Sequence, residues 1–240
     1  MKIRSTNRIY TPVTLSENTN ITLDGNILHY IRNVLRLKVG DKLRIFNELS
    51  GEFLANIVDL DKKALCLQIE KLLTEPVHTP SLSIALCIIK NDKMADMVSM
   101  LVQLGVTEII PIISEYTVNR NFNRERFERI AQEATEQCER LSMPSVSEPI
   151  LLENFLKDHK FDYVVYANEH ESVNGNLSAE IAKNDNIVLL VGPEGGFSDK
   201  ELNILSKLGA ISVTLGQNIL RAETAAVKLV SYVQFLYQSL

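Results

Sequence analysis

Cysteine is scarce in this chain, and it contains no long apolar run. Three cysteines occur in 240 residues. Cys66, Cys87 and Cys138 form no CxxC pair, so we expect reduced thiols in a core and no disulfide framework. The four histidines show no Cys/His spacing typical of a metal site, and we expect none. No window approaches the ~18 uninterrupted apolar residues of a membrane helix, and the N-terminus leads into no apolar signal-peptide core. These absences predict a cytoplasmic protein that does not enter a membrane.

The composition is that of a globular protein with an uneven charge distribution. Hydrophobic residues make up 45% and charged residues 23% of the chain, which excludes a mainly disordered protein. The formal net charge is −5. Residues 1–45, however, hold eight Lys/Arg against three Asp/Glu, a balance of +5, and residues 46–240 hold 17 against 27, a balance of −10. We call residues 1–45 the basic front. Because the rest of the chain is acidic, we expect any contact with nucleic acid to be confined to one surface.

The first seventy residues have the pattern of a small barrel. Short apolar segments at hairpin spacing predict strands at 9–10, 19–23, 43–46, 53–59 and 64–70. One helix is predicted between the second and third strands, because apolar residues recur on one helical face at Ile27, Ile31, Val34 and Leu35. A polar stretch with two prolines follows over 72–80. We therefore predict a barrel domain over residues 1–72 and a second domain over residues 73–240.

Beyond residue 81 the pattern alternates between strands and helices. Buried strands are predicted at 82–89, 108–113, 163–167, 187–191 and 210–214, and amphipathic helices at 94–104, 127–141 and 226–236. Such alternation predicts an α/β domain with a parallel sheet covered on both faces. Ligands of these sheets bind at the carboxyl ends of the strands. The loops after Ala167, Val191 and Thr214 are therefore predicted to hold the functional site.

The loop after Val191 reads GPEGGFSDKE over residues 192–201. Its three glycines permit positive φ angles and a close approach of the backbone to a ligand. Ser198 and Glu201 have the spacing of a capping box, which predicts a helix start. The loop lacks the GK[ST] ending of a P-loop, and its glycines do not follow GxGxxG spacing. A plain tight turn is the alternative, although a turn seldom needs a proline and three glycines together.

The loop after Thr214 reads LGQNILRAETA over residues 215–225 and also leads from a strand into a helix. Arg221 and Glu223 are predicted at the helix start, where the helix dipole favours a Glu and opposes an Arg. An Arg in that position indicates a task such as binding an anion or stabilising developing negative charge. The alternative is a surface Arg paired with Glu223 or Glu194.

Together, the two loops resemble the paired signature of the RsmE family, which are SPOUT-superfamily methyltransferases that methylate N3 of a uridine in 16S ribosomal RNA. The resemblance extends along most of the chain. The stretch HYIRNVLR at 29–36 is similar to the family's PUA-like, RNA-binding barrel. Lys90, Lys93 and Arg140 match its middle section.

The resemblance implies a C-terminal SPOUT-type parallel sheet with a trefoil knot, which periodicity does not reveal, and a small N-terminal PUA-like β-barrel. It also implies S-adenosylmethionine as cofactor, a homodimer, and 16S rRNA or the small ribosomal subunit as partner. Residues 168–170 would form one wall of the cofactor site. Ala222, where the family usually has Thr, removes a hydroxyl near that site, and Gln103 replaces the usual Glu. The implied cofactor-binding residues are Gly192, Gly195, Gly196, Leu215, Gly216, Ile219 and Leu220.

Methylation of N3 requires a group that accepts its proton and a group that stabilises the resulting anion. Arg221 is the candidate for stabilising that anion or for gripping a phosphate of the target nucleotide, and Glu223 is a candidate base. N3 lies on the Watson–Crick edge, so the target base must be unpaired or flipped out. RNA would bind to the basic front, and the candidate RNA-binding residues there are Arg8, Arg32 and Arg36.

Three other functions stay open at this point. The chain could be a non-catalytic RNA-binding dimer, but the intact glycine loops argue against it. It could be a nucleotide-binding enzyme that holds phosphate with residues 192–196, but the P-loop Lys is missing. It could be a SPOUT methyltransferase that acts on tRNA or on a ribose, which the match at the N-terminus disfavours.

Overall fold

The computed structural model describes residues 6–77, 81–158, 160–168, 177 and 186–238. The chain divides into two units. The first comprises Met1–His78 and Thr135–Met143, and the second comprises Thr79–Ala134 and Pro144–Leu240. The first unit therefore includes a segment from the middle of the sequence.

The first unit is built on a mixed five-stranded sheet. Its strands are β1 (Arg8–Tyr10), β2 (Asn20–Leu23), β3 (Lys42–Asn47), β4 (Gly51–Leu60) and β5 (Leu65–Thr74). Their order is β1-β3-β4-β5-β2, with β1 parallel to β3 and the other pairs antiparallel. Inward-facing side chains such as Ile9, Ile45 and Leu67 form one buried core. The five predicted strands are confirmed, because turn residues separate apolar segments of the right length.

The predicted helix between β2 and β3 is present, but its winding changes. It starts as α1 (Gly25–His29) and continues as a π-helical turn (Tyr30–Val34), in which the Leu35 N–H donates to the Tyr30 carbonyl at 3.0 Å. Arg36 then adopts a left-handed conformation with φ 55°. π-helical turns are rare and are frequent at functional sites, and a left-handed non-glycine residue is strained.

A buried arginine on the edge strand β1 of the first unit is held by several partners. The Arg8 side chain is 3% exposed and its Nε donates to Glu52 Oε1 at 2.9 Å. Its two terminal nitrogens donate to the carbonyls of Thr135 at 3.0 Å and Arg140 at 2.7 Å. The guanidinium carbon lies 3.4 Å from the centre of the Phe46 ring. Burial lowers the pKa of Arg8, against the opposing attraction of Glu52.

A second arginine completes this network. Arg44, which pairs with Arg8 in the register of β1 and β3, lies 3.4 Å from the same Glu52 carboxylate and donates to Glu139 at 2.8 Å. Segment 135–143 is therefore held in the first unit by two arginines from the N-terminal strands.

The second unit contains a seven-stranded parallel sheet covered on both faces, as predicted. Its strands are β6 (Ser83–Cys87), β7 (Glu108–Ile113), β8 (Ser145–Val146), β9 (Ile150–Leu151), β10 (Tyr163–Ala167), β11 (Ile187–Val191) and β12 (Ile211–Val213). The order is β12-β10-β11-β6-β7-β8, with β9 paired to β7. Successive residues point to opposite faces: Ile84 and Leu86 enter one core, and Ala85 and Cys87 enter the other.

Five helices accompany this sheet in the described part of the chain. They are α2 (Asn91–Gln103), α3 (Arg124–Gln137), α4 (Leu152–Asp158), α5 (Asp199–Lys207) and α6 (Ala222–Gln238). The sequence pattern did not predict α4, β8 or β9, because each is too short to show a period. None of the described helices is long and apolar enough to cross a membrane.

One expectation about the cysteines is wrong. All three thiols are free, but only Cys87 is buried, whereas Cys66 is half-buried and Cys138 is exposed. The helix predicted over 127–141 ends at Gln137, and Glu139 has φ 62°. Cys138 therefore leaves the apolar face on which an uninterrupted helix would have placed it.

Candidate functional site

The carboxyl ends of three neighbouring strands in the second unit open into one pocket. Strand β10 lies between β12 and β11, and the loops that follow these three strands all contribute to it. The space inside, including solvent at its open mouth, is about 790 Å³. The lining residues are Ala167, Asn168, Val191, Gly192, Pro193, Glu194, Gly195, Gly196, Phe197, Leu202, Leu215, Gly216, Asn218, Leu220, Ala222 and Ala225. The structure thus brings together the three loops that the sequence pattern selected. Asn168, from the wall expected over residues 168–170, lines the pocket. Residues 169–170 lie outside the described residues.

The loop after β11 begins with a tight turn. The Gly196 N–H donates to the Pro193 carbonyl at 2.9 Å, which places Glu194 and Gly195 at the centre of the turn. Gly196 has φ +71° with open space around its Cα. This glycine is therefore required by its backbone conformation.

The other two glycines of this loop make room for aromatic side chains of the protein. A Cβ at Gly192 would lie 3.2 Å from the Phe197 ring, and a Cβ at Gly195 would lie 3.2 Å from the Tyr116 Cβ. The Phe197 ring in turn packs edge-on against Tyr166, with 6.1 Å between centroids. Internal packing thus accounts for two glycines that the sequence pattern associated with a ligand.

The end of the same loop is fixed by the predicted capping box. The Glu201 N–H donates to Ser198 Oγ, and the Ser198 N–H donates to Glu201 Oε2 at 2.8 Å, so the box is confirmed. The other oxygen of this buried carboxylate accepts the Glu115 N–H at 2.8 Å. Glu201 therefore joins the glycine loop to residues 114–117, which follow β7. The sequence pattern missed this second role because Glu115 and Glu201 are 86 residues apart.

Beside that junction lies a thiol that is not a nucleophile. Cys87 Sγ donates to Ser114 Oγ at 3.4 Å, and Ser114 is hydrogen-bonded to Thr117. Burial, which outweighs these hydrogen bonds, raises the pKa of Cys87 to about 12. A thiol in this state stays protonated at neutral pH, and a protonated thiol is a poor nucleophile.

The loop after β12 supplies the opposite wall of the pocket. Leu215, Gly216 and Leu220 line the pocket. Gly216 has φ +113°, and a Cβ there would lie 3.4 Å from Lys228 Nζ. Ile219, the remaining predicted cofactor residue of this loop, is 81% exposed and is not among the lining residues.

Arg221 and Glu223 flank the start of α6, as predicted. The Arg221 carbonyl accepts the Ala225 N–H at 2.8 Å, and Glu223 lies in the first turn. Neither side chain lines the pocket, although Ala222 between them does. Arg221 is exposed, and among the described residues no ion pair joins it to Glu223 or Glu194, which removes that alternative for its role.

The two residues that depart from the resemblance noted in the sequence have different positions. Ala222, where the resemblance leads us to expect Thr, is buried and lines the pocket. Gln103 lies at the end of α2, donates to Ser99 and does not line the pocket.

The candidate RNA-binding residues lie in the first unit in different environments. Arg8 is buried, with the three guanidinium nitrogens engaged inside the protein. Arg32 and Arg36 are exposed on the π-helical turn and just after it. Arg32 makes a hydrogen bond of 3.3 Å to the Asp61 carbonyl. Two of the three candidates are therefore accessible to a ligand.

Within the described ranges, no group of three or more His, Cys, Asp or Glu side chains is arranged to hold a metal ion.

Two family models match the chain. The RNA methyltransferase domain covers residues 77–234, and the RNA methyltransferase PUA domain covers residues 23–70. The chain thus has the two domains of the RNA methyltransferases that carry a PUA domain.

Individual relatives show which family within this class the chain is similar to. The ribosomal RNA small subunit methyltransferase E of Rickettsia conorii is 42% identical over 235 residues, covering 96% of both chains. The structure of ribosomal RNA small subunit methyltransferase E from Neisseria gonorrhoeae bound to S-adenosyl methionine matches with a TM-score of 0.85 and 28% identity, over 97% of this chain and 98% of that chain. A methyltransferase from Legionella pneumophila in complex with the cofactor SAM matches with a TM-score of 0.86 and 28% identity, over 96% and 97%. The chain belongs to the ribosomal RNA small subunit methyltransferase E family, which confirms the family predicted from the sequence.

Proposed function

We propose that this protein transfers a methyl group from S-adenosylmethionine to N3 of a uridine in the 16S ribosomal RNA of the small ribosomal subunit. The observation that carries the proposal is the pocket in which the two loops of the family signature meet at the ends of parallel strands. Relatives of known structure, 28% identical, are described as bound to S-adenosylmethionine.

The lining of the pocket fits the parts of this cofactor. Leu215, Leu220 and Ala222 provide apolar surface for a flat adenine ring. The glycine loop offers backbone N–H and C=O groups to polar edges, because its glycines carry no side chain of their own. Glu194 provides a carboxylate for a ligand that carries positive charge. The pocket thus combines apolar side chains with backbone polar groups and a carboxylate, as a site for a cofactor with apolar and polar parts requires.

The cofactor supplies a methyl group activated by its sulfonium. The protein must then hold N3 of the uracil in line with that methyl at near-contact distance. N3 carries a proton at neutral pH, so the protein must also accept this proton and stabilise the negative charge that spreads onto the two carbonyl oxygens.

Arg221 and Glu223 are proposed for these two tasks. The Arg221 guanidinium is exposed at the start of α6, directly before pocket-lining Ala222, and is free of ion pairs within the described residues. It is therefore available to the uracil anion or to a phosphate of the target nucleotide. Glu223, half-buried in the first turn of α6, is the proposed proton acceptor.

The first unit is proposed to bind the RNA. Arg32 and Arg36 present exposed guanidinium groups, and the strained left-handed backbone at Arg36 is the kind of local cost that proteins retain at functional positions. Phosphate contacts of this kind position an RNA without reading its sequence.

Mass spectrometry of 16S RNA nucleosides tests the proposed reaction. A strain that lacks the gene should lose one N3-methyluridine, and purified protein with S-adenosylmethionine should restore it on small ribosomal subunits from that strain. Retention of this nucleoside in the deletion strain would contradict the proposal.

The role of Arg221 is tested in the same assay. Arg221→Ala should lower methyl transfer by roughly 100- to 1,000-fold, the usual effect of removing a group that stabilises an oxyanion, with S-adenosylmethionine affinity unchanged. Arg124→Ala, which removes an exposed arginine of the same unit, is the control and should leave turnover unchanged. Near-normal turnover of Arg221→Ala would remove this residue from the mechanism.

On the family resemblance we extend the proposal to a trefoil knot in the second unit, a homodimer that packs across it, and a cytoplasmic location. Light scattering after gel filtration tests the dimer, which should elute with twice the mass of a single chain.

A further inference from the structure

Glu194 is the one ionisable residue among the sixteen that line the pocket in the described part of the chain. The other lining residues are glycines, apolar residues, a proline and two asparagines. Among the described residues, a charged group on a ligand in this pocket therefore meets a single charged side chain at the wall.

Glu194 is presented by a backbone that is fixed from three directions. The turn that contains it is closed by the hydrogen bond between Gly196 and Pro193, 2.9 Å long. Gly195, next in the chain, packs against Tyr116 so closely that a Cβ would lie 3.2 Å away. Glu201 anchors the end of the loop to Ser198 and to the neighbouring segment at Glu115. The carboxylate is thus attached to a preorganised support.

The Glu194 carboxylate has no partner among the described residues. Glu194 is exposed and makes neither an ion pair nor a hydrogen bond with the described residues. Because no cation of the described residues is paired with it, its negative charge is available to a ligand.

We propose that Glu194 recognises the positive charge that distinguishes the methyl donor from its demethylated product. This inference rests on the proposed function. At neutral pH S-adenosylmethionine has an ammonium, a carboxylate and a sulfonium, so its net charge is +1. Transfer of the methyl converts the sulfonium into a neutral thioether, and S-adenosylhomocysteine has a net charge of zero. A carboxylate at the pocket wall stabilises the charged donor and loses this attraction once the methyl has left, so Glu194 favours donor binding and product release.

The test measures the ratio of two dissociation constants, which is independent of turnover. Isothermal titration calorimetry without RNA gives the Kd of S-adenosylmethionine and of S-adenosylhomocysteine for the wild-type chain and for Glu194→Gln. The ratio Kd(product)/Kd(donor) should fall roughly three- to tenfold in Glu194→Gln, the range expected for one partly solvated charge pair. Sinefungin, which carries an amine in place of the sulfonium, should follow the donor.

Two control variants test whether the change in the ratio is specific to the charge at Glu194. Glu194→Asp keeps the charge and should keep most of the preference. Glu133→Gln removes the same charge from an exposed residue of the same unit that does not line the pocket, and should leave the ratio unchanged. In the wild-type chain, raising the salt concentration should also reduce the ratio, because salt screens an exposed charge pair.

The outcomes distinguish this inference from the function on which it rests. If the wild-type chain binds neither molecule, the proposed function fails. If both molecules bind and Glu194→Gln raises both Kd values equally, the carboxylate contacts the ammonium that they share. That result would overturn the proposed recognition of the sulfonium charge. A wild-type ratio that does not change with salt would overturn it independently of any variant.

Discussion

Each glycine of the loop after β11 is required for a different physical reason. Gly192 leaves room for Phe197, Gly195 leaves room for Tyr116, and Gly196 alone has a left-handed backbone with open space around it. Three glycines in five positions thus combine two packing constraints with one conformational constraint. The pocket wall depends on all three, since each controls a side chain or a turn that lines it or supports it.

Gly196→Ala should show the conformational constraint directly. A left-handed alanine costs about 1–2 kcal/mol, which lowers the Tm by roughly 2–8 °C in a chain of this size. The strained turn should also weaken S-adenosylmethionine binding. Gly209 has the same φ of +71° and the same open surroundings but lies outside the pocket, so Gly209→Ala should lower the Tm equally and leave the Kd unchanged. Thermal unfolding and calorimetry measure both effects. Equal Kd values for the two variants would show that the turn at Gly196 does not shape the cofactor site.

At the scale of elements, a buried ion network joins the first strands to a distant segment. Glu52 on β4 lies between Arg8 on β1 and Arg44 on β3, and both arginines also bind segment 135–143. The Arg8 guanidinium donates to the Thr135 carbonyl in the last turn of α3, where a cation suits the helix dipole.

Glu52→Gln should therefore be strongly destabilising. It leaves two buried arginines without their shared counter-charge, which costs about 3–5 kcal/mol in the free energy of unfolding. Glu70→Gln is the matched control, because Glu70 pairs with Lys42 in the same sheet at 2.6 Å but is partly exposed, and such pairs contribute about 1 kcal/mol or less. Urea unfolding of the full chain measures both. Similar losses for the two variants would contradict the importance assigned to burial.

At the scale of the whole molecule, the basic front is smaller than a count of charges indicates. Of the eight basic residues in the first 45, Arg8 and Arg44 are buried in ion pairs and Lys42 is paired with Glu70. Lys2 and Arg4 lie outside the described residues. The exposed, described remainder is Arg32, Arg36 and Lys38.

RNA affinity should therefore depend on a few residues and on salt. Each phosphate contact contributes about 0.7–0.9 to the slope of log K against log salt concentration. The double variant Arg32→Ala, Arg36→Ala should reduce that slope by roughly 1–2 and leave S-adenosylmethionine binding unchanged. Arg124→Ala, which removes an arginine already paired with Glu128 at 2.8 Å, should not change the slope. Filter binding of 16S RNA over a salt series gives these slopes, and an unchanged slope in the double variant would place the RNA elsewhere.

The sequence by itself determined the features that depend on neighbouring residues. Periodicity located every described strand except β8 and β9 and most of the helices. Spacing identified the Ser198–Glu201 capping box, and the two loops identified the family. Only the tertiary structure decided which groups meet across long separations. It buried Arg8 against Glu52 and Arg140, joined Glu201 to Glu115, and placed Phe197 and Tyr116 against Gly192 and Gly195. Periodicity and capping are set by backbone geometry over a few residues, whereas burial and ion pairing depend on which distant segments the fold brings into contact.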